Sequence, residues 1–155
     1  MDFKKQFFED WVWTRGLTLK FVETIPEDKF NFSPGGNFGH LGKQLRHIGA
    51  VQECYLVGFE TGKIDFSKKI KDVSLEKSKI QLVKYFTKLD NRFENWFKTL
   101  DIKDLDRVIN WKVWEDLPNP TISQALYYML EHEIFHQGIL QLYAELAGFE
   151  TIRFF

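Results

Sequence analysis

The chain has 155 residues, 21 Lys+Arg against 22 Asp+Glu, a net charge of −1 and four His. Apolar residues make up 44% and charged residues 28%, which suits one globular domain over residues 1–155 and excludes a disordered chain. The near-zero charge excludes the strongly basic footprint of a protein held mainly by phosphates, so no nucleic-acid partner is expected. A single Cys excludes an intramolecular disulfide and fits a reducing compartment. Sixteen Phe, five Trp and five Tyr supply a heavy aromatic core. The beginning, MDFKKQFFEDW, has no apolar core of a signal peptide. The longest purely apolar run is Ala125 to Leu130, far short of the roughly 20 residues that cross a bilayer. The expectation is a cytoplasmic protein without a membrane segment.

Helical periodicity marks four long segments. The first runs from about Asp2 to Thr24, with Phe3, Phe7, Trp11, Thr14, Thr18 and Val22 in steps of three and four, and Phe8, Val12 and Leu19 widening the stripe. Pro26 ends it, and PEDKFNFSPGG follows as turn chemistry. The second segment starts near Asn37, a candidate N-cap, and runs to about Gly58. Leu41, Leu45, Ile48, Gln52 and Tyr55 form one face, and His40, Gln44, His47, Val51 and Cys54 form the next. GKIDFSKKIKDV reads as an exposed connection.

The third segment begins at Ser74 and ends near Leu100, with an unbroken seam of Leu82, Phe86, Leu89, Phe93, Trp96 and Leu100. A connection of about 20 residues then carries Trp111 and Trp114, a length that is often functional in a compact domain. The fourth segment opens at Thr121, spaced from Gln124 as in a capping box, and stops before Gly148. Ile122, Ala125, Met129, His132, His136, Ile139, Tyr143 and Ala147 share its stripe. Four such helices make an all-α four-helix bundle.

His132 and His136 lie four apart, so their rings leave one helix face one turn apart, a spacing that can grip one metal ion. The same spacing also occurs in pairs that are simply polar residues on a helix. Here the stripe is apolar, and buried imidazoles without partners cost free energy, so the pair asks for a ligand or a mutual partner. If the second and fourth helices are neighbours, His47 faces the pair. Three imidazoles then bind one side of a divalent ion and leave positions open, as in a catalytic site. The pair also spells His132-Glu133-Ile134-Phe135-His136, the HExxH pattern in which Glu133 is a general base. Little chain follows for a third protease ligand, and Glu133 reads equally as a supporting residue.

FGHLGKQLRHIGAVQECYL and TISQALYYMLEHEIFHQGILQLYAELAG resemble the second and fourth helices of the DinB/YfiT-like proteins. The resemblance spans nearly the whole chain in helix order and loop placement. It implies a DinB-like bundle that binds a divalent ion, zinc or nickel, through His47, His132 and His136. Gln137 stands where the family commonly has Arg, and the family gives His40 no ligand role. Relatives include thiol-dependent S-transferases and an isomerase, and members often dimerise. The resemblance therefore implies a metal-dependent enzyme acting on a small molecule, as a bacillithiol-type thiol S-transferase or as a hydrolase, and a homodimer. The alternatives are a non-catalytic metal- or ligand-binding bundle and, third, an HExxH protease. Cys54 reads as a buried small hydrophobe, with a reactive thiol or fourth ligand as the minor alternative.

Overall fold

The computed structural model describes residues 2–111 and 117–154. Four helices dominate it: α1 (Phe3–Thr24), α2 (Leu41–Thr61), α3 (Lys79–Thr99) and α4 (Ile122–Ala147). Asp2 opens α1 by accepting the Lys4 and Lys5 amides, which leave the first turn without intrahelical partners. Thr121 and Gln124 form the expected capping box of α4, and Gly148, at φ 70°, takes the left-handed conformation that ends it. α2 packs against both α3 and α4, and α1 packs against α3 and α4.

Two helix starts differ from the sequence expectation. α2 begins at Leu41, because the His40 ring, and not Asn37, caps it. Its Nδ1 accepts the Lys43 amide at 3.2 Å and its Nε2 reaches the Glu76 carboxylate at 2.9 Å. This pattern puts the ring proton on Nε2. α3 begins at Lys79 under Ser78, since Ser74 belongs to a separate 3-10 turn, Val73–Glu76, capped by Asp72. That turn leaves the helical track to bury Leu75 and Glu76, and Glu76 also takes the Arg46 guanidinium at 2.6 Å.

The connection between α2 and α3 is not simply exposed. Ile64 is fully buried, and β1 (Lys63–Ile64) pairs in parallel with β2 (Asn110–Trp111). This short pair ties the α2–α3 connection to the α3–α4 connection. The latter is also closed on itself, by Ile109 N–H to Pro120 C=O at 2.8 Å and Trp111 N–H to Asn119 Oδ1 at 2.8 Å.

The core has two apolar layers. One gathers Phe7, Trp11, Tyr55, Phe59, Phe93 and Met129, and the other gathers Phe21, Ile25, Leu45, Phe86, Leu140 and Tyr143. In three of the four helices the residues of the two layers flank buried polar positions: Arg15 and Thr18 in α1, Gln52 in α2, and Glu133 and Gln137 in α4. The predicted stripe of α1 holds at Phe7, Trp11, Thr14, Thr18 and Val22, but Val12 is 48% exposed while Arg15 is only 3% exposed. No described helix is long and apolar enough to cross a membrane.

The Val73–Glu76 turn lies so close to α2 that a Cβ at Gly42 would overlap the Glu76 carbonyl. The obstacle is backbone, which cannot rotate away. Gly42→Ala is therefore expected to cost about 1–3 kcal/mol by overpacking, despite the better helix propensity of Ala. A urea midpoint equal to or above that of the parent would contradict this.

Candidate metal centre

The packing of α2 against α4 brings together the three histidines that the sequence singles out. One ring nitrogen from each of His47, His132 and His136 lies within 4.8 Å of the others. Nε2 of His47 and Nε2 of His132 are 3.2 Å apart, and the ring centroids of the three pairs lie 4.4–5.1 Å apart. His132 and His136 meet because they are one helical turn apart. His47 completes the group from the facing helix.

Burial lowers the basicity of all three rings. His47 falls to about 4, through desolvation first and then the neighbouring charges of His136 and Lys69. His132 falls to about 3 by desolvation, then by His136 and His47. His136 falls to about 4 by desolvation. At neutral pH the rings are uncharged, the form that binds metals, and in the metal-free chain one of the His47 and His132 Nε2 atoms donates to the other. Tetrahedral zinc bonds of 2.0–2.1 Å place ligand nitrogens about 3.3 Å apart, close to the observed His47–His132 separation. Nδ1 of His136 is buried without a hydrogen-bond partner. The donor set and its spacing thus fit a divalent ion that favours imidazole.

A cavity of about 760 Å³ opens beside the cluster. His47, Val51 and Tyr55 line it from α2 at successive turns, and Tyr128, His132 and Phe135 line it from α4. The two connections add Phe66, Lys69, Trp111 and Leu117. Tyr55, Phe66, Trp111 and Tyr128 pack edge to face, with centroids 5.3–6.0 Å apart. Trp111 therefore both packs and lines the cavity, whereas Trp114 lies outside the described residues. Phe66 and Lys69 sit in the stretch that reads as an exposed connection. Only Phe66, an aromatic among lysines, marks it as something else.

Glu133 turns the other way, toward α1. Its carboxylate receives the Thr18 hydroxyl at 2.6 Å and pairs with the Arg15 guanidinium at 3.0 Å, and it does not line the cavity. Arg15 also pairs with Asp90 of α3 at 3.3 Å, donates to Gln52 of α2 and lies 4.5 Å above the Phe86 ring. Burial raises the Asp90 carboxyl above the usual range, against the opposing pull of Arg15. Gln137 donates to Thr14 C=O and Thr18 Oγ1. Cys54 is outside the histidine group and lines a separate hollow with Glu53 and Lys68. Burial pushes its thiol up to about 11, so it stays protonated and unreactive at neutral pH. His40 is occupied as the cap of α2.

The sequence pattern of the DinB superfamily matches residues 10–140. Among solved structures, a DinB-like protein from Bacillus cereus superposes with a TM-score of 0.77 at 15% identity, covering 97% of each chain. A DinB-like protein from Bacillus subtilis, YjoA, gives 0.72 at 22% identity over 96% of each. At these identities the likeness speaks to the fold. No curated protein matches the chain.

Two outcomes are expected. Arg15→Met leaves Glu133 buried without its cation and should cost about 3–5 kcal/mol, with part recovered in Arg15→Met/Glu133→Met, as measured by urea denaturation. The second concerns the metal-free protein. Between pH 6.5 and about 4 the unfolded chain binds protons on His47, His132 and His136 that the native state does not. Stability therefore holds above about pH 7 and falls as the pH drops through that window. The fall should be shallower in His132→Asn, and a flat urea midpoint from pH 7 to 4.5 would refute the assignment.

Proposed function

Because the chain belongs to the DinB superfamily and its three neutral imidazoles converge beside a large apolar cavity, we propose a divalent-metal-dependent enzyme acting on a small molecule. The convergence of three ring nitrogens within 4.8 Å is the observation that carries this reading. His47, His132 and His136 hold the ion, and an all-imidazole set suits zinc or nickel. When bound, the ion supplies Lewis acidity and favours the deprotonated form of a thiol or water that reaches it.

The chain's own residues do the rest. Burial keeps the three rings in the neutral imidazole form at neutral pH. The aromatic walls take the apolar body of a substrate and displace water from it. The leading reaction is transfer of a low-molecular-weight thiol, of the bacillithiol type, to an electrophile, and hydrolysis is the near variant. Glu133 enters as a positioning residue: its bonds to Arg15 and Thr18 fix the rotation of α4 that aims His132 and His136 at His47. A direct acid–base part would require it to leave both partners, which weighs against the HExxH protease. The exposed Phe135, Leu142 and Leu146 of α4 support a homodimer.

The test is metal content by mass spectrometry on tag-free protein, beside His47→Ala and His136→Ala. About one equivalent of zinc or nickel is expected in the parent and none in either folded variant. The loaded parent should conjugate a thiol with a nitro-activated chloroarene, and chelation should slow this by about 100-fold or more. A parent that takes up no ion after loading would overturn the proposal in favour of a non-catalytic bundle.

A further inference from the structure

The cavity is apolar except for its histidines and two charged side chains, Lys69 and Glu131. Lys69 is half-buried on the α2–α3 connection, and its ammonium lies 5.9 Å from the centre of the Phe66 ring. Among the described residues no carboxylate pairs with it, Glu131 included. Most of the chain's other partly buried cations are paired: Arg15 with Glu133, Arg46 with Glu76, and Arg92 with Glu60. A half-buried ammonium on an aromatic wall has lost part of its water and gained no counter-ion. It is also near enough to His47 and His132 for its charge to lower their basicity. A molecule that reaches the histidines therefore passes within the field of Lys69.

Resting on the metal-enzyme reading for where chemistry occurs, we propose that Lys69 selects the substrate, which is a flat, largely apolar molecule bearing one carboxylate. The body lies among Tyr55, Phe66, Trp111 and Tyr128, and the carboxylate meets the Lys69 ammonium. The dimensions agree. His47 and Tyr55 are eight residues apart on α2, about 12 Å along the helix, and His132 and Tyr128 about 6 Å on α4. One or two fused rings span that distance. A cavity of about 760 Å³ lies in the range that encloses a molecule of this size. Charge in a partly dry site discriminates more strongly than the same charge in water, so an uncharged isostere is the informative comparison.

The test measures binding of 2-naphthoate and of its neutral isostere 2-naphthamide by calorimetry. It uses the protein as purified, Lys69→Met and Lys69→Arg, with metal content determined on the same samples. Any coordination of the carboxylate by an ion is common to parent and variant, so their ratio isolates Lys69. Lys69→Met should weaken 2-naphthoate by about tenfold or more and leave 2-naphthamide within about twofold, and Lys69→Arg should retain the preference. The proposal is overturned if Lys69→Met binds 2-naphthoate like the parent, if both probes weaken equally, or if neither binds the parent. Metal without the preference sinks this inference alone. The preference without any metal sinks the metal reading and leaves the role of Lys69 standing.

Discussion

A single guanidinium in the middle of the bundle constrains how the four helices pack. Arg15 of α1 reaches Gln52 of α2, Asp90 of α3 and Glu133 of α4, with the Phe86 ring beneath it. A charge buried this far is tolerated only while its partners stay in place. The requirement is directional, unlike the apolar contacts above and below it. Apolar layers accept small rotations of a helix, whereas a carboxylate held by both Arg15 and Thr18 does not. The network thereby sets the rotation of α4, and that rotation presents His132 and His136 to α2. Glu133 and the two histidines are one motif with two faces, one anchoring the helix and one forming the candidate centre.

Much of this was legible in the chain. The seam from Leu82 to Leu100, the capping box at Thr121 and the stop at Gly148 follow from local rules, and the structure agrees with them. The spacing of His132 and His136 is a helical property, and only the arrival of His47 needed tertiary contact between α2 and α4. The features that sequence reading misses have long-range causes. Arg15 looks like a surface residue until Asp90 and Glu133, 75 and 118 positions away in the chain, come to meet it. Val12, an apolar residue next to the stripe, is left outside in its stead. The starts of α2 and α3 shift because His40 and Glu76 bond to each other, a pairing that no propensity rule contains. Ile64 is buried and Phe66 half-buried where β1 meets β2, whose paired residues are 47 positions apart in the chain.

Depressed histidine basicity and an apolar cavity have one origin. The same walls that exclude water from the rings also make the space attractive to an apolar molecule. Lys69 and Glu131 are the charged exceptions in that lining, and the Lys69 ammonium lies 5.9 Å from the centre of the Phe66 ring. The candidate centre therefore combines neutral nitrogen donors, flat apolar walls and a lysine that pairs with no carboxylate among the described residues, each following from where its element is anchored.

The parallel pairing of β1 with β2 has a consequence for how such a protein diversifies. It joins the two connections that form the outer wall of the cavity, while the histidines stand on α2 and α4. Among the described residues α3 contributes nothing to the lining. Inheritance can therefore act on the two parts separately. Substitutions at Phe66, Lys69, Trp111 or Leu117 change the lining of the cavity on elements other than the helices that carry the three ring nitrogens.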